Sequence, residues 1–141
     1  MRNWLFPICA AALILVDQAT KGLARAWLSE PLYLFDKVGL ALVKNTGGLF
    51  GLFSDSNVLL VWLSVTVLGL LSWAGTVAKE RSQRVLIAIA GAVIVSNLID
   101  RVALGYVTDM IQLGSWPVFN LADAALTLAV LGLAWTALQK R

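Results

Sequence analysis

Carboxylates are the side chains of this sequence best suited to chemistry, and four of its eight acidic residues stand where charge is costly. Asp17, Asp100, Asp109 and Asp123 lie within or against long apolar runs, whereas Glu30, Asp36 and Asp55 fall in a polar segment and Glu80 in a short loop. Ionisable groups in apolar spans are expensive and usually functional. Two carboxylates held together cannot both ionise easily, and they come to share one proton. The ionised member can take a proton from water, and the protonated member can donate to a carbonyl oxygen or a leaving amine. That is peptide hydrolysis without His, metal or covalent intermediate. Asp109 and Asp123 are the candidates, because neither has an obvious local cation and the turn at Trp116-Pro117 can bring them face to face. Two separate helix-end aspartates are the alternative, with Asp123 placed to favour its helix dipole.

The remaining buried charges suit a structural network. Asp17 and Lys21 are four residues apart, share a helix face and can pair. Arg101 directly follows Asp100, so it is expected to find a partner elsewhere. Asn97 precedes them by three and four residues and joins them around one helical face. With no His in the chain, Ser–His and Cys–His pairs and most zinc sites are excluded, and no metal or cofactor is expected. The single Cys9 cannot form an internal disulfide and reads as apolar packing. A formal charge of +3 without a dense basic stripe gives no reason to expect nucleic acid.

These residues need elements to hold them. Of the 141 residues, 60% are hydrophobic and only 13% charged, against about 25% charged in soluble chains. Four apolar stretches are long enough to span a membrane, at about 4–28, 56–78, 85–104 and 118–138. The first continues into Asp-Gln-Ala-Thr-Lys without a small-residue cleavage pattern, so it reads as a retained helix rather than a signal peptide. Arg2, then Lys79, Arg81 and Arg84, then Lys140 and Arg141 fall on one side of four spans, which assigns both termini to the cytoplasm. The outer side then holds about 29–55, where Tyr33, Phe35, Val38, Leu40 and Leu42 alternate as strands do. Most of the six Trp residues lie near span ends, as interfacial anchors do. The fold class is an all-α membrane protein: one domain over 1–141, a four-helix transmembrane bundle with a small extracytoplasmic β-element.

Five strings carry a further signal. Asp17-Gln18-Ala19-Thr20-Lys21, Asn45-Thr46-Gly47-Gly48-Leu49-Phe50-Gly51, Ser96-Asn97-Leu98-Ile99-Asp100-Arg101, Gly105-Tyr106-Val107-Thr108-Asp109 and Phe119-Asn120-Leu121-Ala122-Asp123 together resemble the lipoprotein signal peptidase family, signal peptidase II. They come in family order and span nearly the whole chain. The resemblance implies an aspartic peptidase of the bacterial inner membrane, working toward its outer face on prolipoproteins whose lipobox Cys carries diacylglycerol. It implies Asp109 and Asp123 as catalytic residues. Asn45, Gly47, Asn97, Arg101 and Asn120 line the site or hold substrate, and Asp17, Lys21 and Asp100 support the fold. It also implies membrane lipid as a partner and the peptide antibiotic globomycin as an inhibitor. A monomer is expected.

Some positions depart from the family pattern. Ser96 stands where Gly is expected, Gly48-Leu49 replaces a small pair, and Met110 and Gln112 replace an aromatic and an acidic residue. The connection from Asp109 to Asp123 is short. Two other readings remain: a family member without activity, and a small transport or binding protein whose buried charges line an ion path.

Overall fold

The computed structural model describes residues 5–47 and 56–138. Four helices account for the apolar stretches: α1 (Leu5–Trp27), α2 (Asn57–Val77), α3 (Arg81–Leu104) and α4 (Leu121–Leu138). All four contain a segment long and apolar enough to cross a membrane. A 21-residue helix such as α2 spans about 30 Å at about 1.5 Å per residue, which matches a bilayer core.

The distribution of polarity is the reverse of a soluble bundle. Leu15, Trp27, Val58, Trp62 and Leu131 are exposed, while Asp17, Lys21, Asp100 and Asn120 are at most 1% exposed. In water such a surface is an aggregation liability. In lipid it is the solvated face, and polar groups must instead find partners inside. The chain is therefore an integral membrane protein.

Helix α3 is the centre of the bundle, packing against α1, α2 and α4. At Gly132 of α4 a Cβ would stand 3.0 Å from the Leu86 methyls, so this glycine lets the two helices approach. Connectivity sends the end of α1, the start of α2, the end of α3 and the start of α4 to one end of the bundle. A three-stranded antiparallel sheet lies there, with β1 (Leu32–Phe35), β2 (Val38–Asn45) and β3 (Val107–Leu113) in that order. At Gly39 a side chain would run into the Leu32 carbonyl oxygen, so the β1–β2 pairing needs glycine there. Gly105 ends α3 at φ 81°, donating its N–H to the Arg101 carbonyl at 3.1 Å, and turns the chain directly into β3.

Among the described residues, the β-element expected at 29–55 supplies the first two strands. Residues 48–55, including the departures at Gly48 and Leu49, lie outside the described residues. The third strand, β3, comes from the stretch between the third and fourth apolar runs. It pairs with β2 in a register that sets Val43 opposite Asp109 and Lys44 opposite Thr108. Arg81 and Arg84, expected in a loop, lie in the first turn of α3. Arg84 reaches back to the Ala78 and Lys79 carbonyls at 3.0 and 3.2 Å, satisfying groups at the end of α2.

Candidate active site

Asp109 lies not at a helix end but in the middle of β3, and is 1% exposed. Both of its oxygens are held. Asn120 Nδ2 donates to Oδ1 at 2.8 Å, and Asn45 Nδ2 donates to Oδ2 at 2.8 Å. Asn45 is itself fixed, because its Oδ1 accepts the Gly47 N–H at 3.2 Å in a tight turn after β2.

Asp123 is positioned by the start of α4. Asn120 Oδ1 accepts the Asp123 N–H at 2.9 Å, and Asp123 Oδ2 accepts the Asn120 N–H at 3.3 Å. This is a reciprocal capping box, with Asn in place of Ser or Thr and Asp in place of Glu. The other oxygen, Oδ1, receives Asn97 Nδ2 at 3.0 Å. Phe119, just before the cap, is strapped to β3: its N–H donates to the Ile111 carbonyl at 3.0 Å, and the Ile111 N–H returns to Phe119 at 2.8 Å. Asn120 thus touches both aspartates, and the short 109–123 connection is folded back on itself.

Below this pair lies a buried polar cluster. Lys21 Nζ contacts Asp17 Oδ2 at 2.8 Å, Asp100 Oδ2 at 3.4 Å and Asn97 Oδ1 at 2.7 Å. Asn97 also accepts from Asn120 at 3.2 Å, which fixes its amide orientation toward Asp123. Ser96 donates to Asp17 Oδ2 at 2.7 Å, and Gln18 donates to Asp100 Oδ1 at 3.1 Å. The sequence places Ser96 where Gly is expected; the hydroxyl is used to bind a buried carboxylate. Arg101 finds its partner on α2, where Asn57 accepts from Nη1 at 3.4 Å and donates to the Arg101 carbonyl at 3.1 Å. No buried side-chain N or O atom among the described residues lacks a hydrogen-bond partner.

Burial pushes the Asp109 carboxyl up to about 6, and the Asp123 charge adds to the rise; the Asn45 and Asn120 hydrogen bonds and the Lys21 charge work against it. A proton therefore resides on this group under mildly acidic conditions that ionise an ordinary Asp. Asn120 bonds both residues and so couples the two carboxyl groups in position. Paired carboxyl groups, one of them with a raised affinity for its proton, are suited to acid–base chemistry. Among the described residues no cluster of three or more Cys, Asp and Glu side chains is arranged to hold a metal ion.

Residues 9–139 match the family model of signal peptidase (SPase) II. The chain belongs to the signal peptidase II family. The lipoprotein signal peptidase of Synechococcus sp. (strain RCC307) is 38% identical, over 99% of this chain and 97% of the relative. That of Dehalococcoides mccartyi (strain ATCC BAA-2100 / JCM 16839 / KCTC 5957 / BAV1) is 35% identical, over 94% and 88%. A bacterial membrane enzyme solved by the in meso method at 2.3 Å resolution superposes with a TM-score of 0.87 at 23% identity, over 96% of this chain and 88% of that one. Another, at 1.9 Å resolution, gives a TM-score of 0.86 at 22% identity, over 97% and 94%. The two structural likenesses show a shared fold.

Within this family member, all ten residues singled out in the sequence lie at the sheet end of the bundle or in the cluster below it. Sequence reasoning missed Gln18, Arg25, Asn57 and Thr108. Arg25 continues the Asp17–Lys21 spacing by four more residues and donates to Thr108 Oγ1 at 2.7 Å, so its place on that face was readable. Asn57 opens an otherwise apolar span, and nothing nearby in the sequence points to Arg101.

Proposed function

We propose that this chain is an aspartic endopeptidase that removes signal peptides from diacylglyceryl-modified prolipoproteins, cutting before the lipidated Cys. One observation carries the reading: Asp109 of β3 and Asp123 of α4 are both held by Asn120 where the sheet meets the bundle. The ionised member of the dyad takes a proton from water as that water attacks the scissile carbonyl. The protonated member donates its proton to the carbonyl oxygen; the member that took the water proton then passes it to the leaving amine as the C–N bond breaks, and the diol returns a proton to the first member as the new carboxyl forms. Apparent titrations belong to the pair rather than to either residue. Asn97 and Asn45 keep each carboxylate aimed, and Arg101 and Gly47 line the approach for the peptide backbone.

Two apolar grooves, one reaching Asp123 and one reaching Met110, the chain neighbour of Asp109, support a lipid-bearing substrate. One, of about 870 Å³, is lined by Trp116, Phe119, Asp123, Thr127 and Leu131. The other, of about 470 Å³, lies between Trp27, Leu32, Leu40 and Met110. The basic cluster Lys79, Arg81 and Arg84 at the opposite end supports a cytoplasmic placement of that end and an extracytoplasmic site.

The test is incubation of the purified protein with a diacylglyceryl prolipoprotein, with and without globomycin. The precursor is expected to shorten to a product beginning at the lipidated Cys, and globomycin to block the shift. Binding energy from a remote lipid is used at the reacting bond, so the unlipidated precursor is expected to turn over at least about 100-fold more slowly. Equal turnover of both precursors contradicts a site that takes its substrate from the bilayer.

A further inference from the structure

Asp17 and Asp100 stand outside the proposed dyad, yet each accepts a backbone N–H from the residue just before one of its members. Asp17 Oδ1 accepts the Ala122 N–H at 2.9 Å, and Ala122 precedes Asp123. Asp100 Oδ2 accepts the Thr108 N–H at 2.9 Å, and Thr108 precedes Asp109. Lys21 joins the two carboxylates at 2.8 and 3.4 Å. A continuous path of three side chains, none more than 1% exposed, therefore links the backbone under Asp123 to the backbone under Asp109.

We propose that Asp17, Lys21 and Asp100 form a spacer that sets the separation of the Asp109 and Asp123 carboxylates, and so are positioning residues for cleavage beyond supporting the fold. This rests on the dyad reading above. A network that only locks helices together has no need of these two amides; contacts between side chains would suffice. The Ala122 amide is also one of the groups a helix start leaves unpaired, and Asn120 already serves the amide at Asp123. A carboxylate from α1 fills the vacant role and favours the positive end of α4. The Ser96 hydroxyl on Asp17 and the Gln18 amide on Asp100 occupy further lone pairs, which stops either carboxylate from turning away.

The test compares Asp17→Ala with Asp17→Asn on the lipidated precursor in one membrane mimetic, with Asp109→Asn as control. Asn keeps an acceptor oxygen for Ala122, and Ala does not. A misplacement of about 1 Å costs on the order of 100-fold in rate, so Asp17→Ala is expected to lose about that much kcat. KM should stay within about twofold, and Asp17→Asn should recover at least about tenfold. Wild-type kcat per folded molecule in Asp17→Ala overturns the proposal. Equal losses in both variants overturn it too, because the effect then belongs to the charge and not the amide contact. If Asp17→Ala does not fold, hydrogen–deuterium exchange of the unaltered protein decides. The Ala122 and Thr108 amides are expected to be protected at least about 100-fold relative to an unbonded amide, and rapid exchange at both overturns the spacer. Full cleavage by the Asp109→Asn control removes the dyad reading instead, and the exchange data still judge the spacer.

Discussion

Asp109→Asn and Asp123→Asn are each expected to lower cleavage of a lipidated precursor by at least about 10³-fold, or about 4 kcal/mol of transition-state stabilisation. Neither amide can exchange a proton as a carboxyl group does, so both the activation of water and the protonation of the leaving amine fail. The fold should persist. Burial already disfavours the charged form of Asp109, so the neutral Asn is expected to cost no more than one of the two amide hydrogen bonds there. At position 123 an amide oxygen can still accept the Asn120 N–H and preserve the helix cap. A gel-shift assay on the purified variants, with circular dichroism to confirm helical content, checks the expectation. Full cleavage by either folded variant removes the dyad.

Lys21→Met is expected to destabilise the protein severely, by about 3–5 kcal/mol, because it leaves buried charge without its partner. Lys21 and Asp17 are both wholly buried and 2.8 Å apart, and Asp100 is 1% exposed. Arg25 reaches Asp100 only at 3.9 Å and from a partly exposed position, so it offers weak compensation. Asn97 Oδ1 also loses its shortest donor. Removing charge on both sides should be milder: the Lys21→Met/Asp17→Asn pair leaves one unmatched carboxylate fewer. Thermal unfolding in detergent measures both. A Lys21→Met protein as stable as wild type would mean that the ion pair contributes little beyond what its hydrogen-bonded neighbours supply.

How much of this was legible in the sequence depended on whether the contacts were local. The uninterrupted apolar run of α2 declares its helix, and Asp17 and Lys21 announce their pairing by the four-residue spacing. Asn120 and Asp123 are three residues apart, so their capping box is also legible in the sequence. The third strand was harder. Val107, Thr108 and Ile111 are β-branched and the run is bounded by Gly105 and Gly114, but seven residues beside a long helix carry little periodicity. Its partner β2 lies more than 60 residues away, and only that pairing puts Asp109 on a strand. The same holds for Asp17 on Ala122 and Asn57 on Arg101, separated by 105 and 44 residues. Such contacts follow from helix packing, which local patterns do not encode.

Infrared titration of the protein labelled with ¹³C-aspartate reads the shared proton itself. A protonated carboxyl band is expected that is full below pH 5, loses half its intensity near pH 6 and changes in Asp109→Asn. Because the folded group holds its proton above the unfolded value of 3.8, its contribution to stability is complete below that pH and is lost as the pH rises through about 6. Aspartates that all ionise near pH 4, with no band specific to residue 109, would contradict a proton-sharing pair.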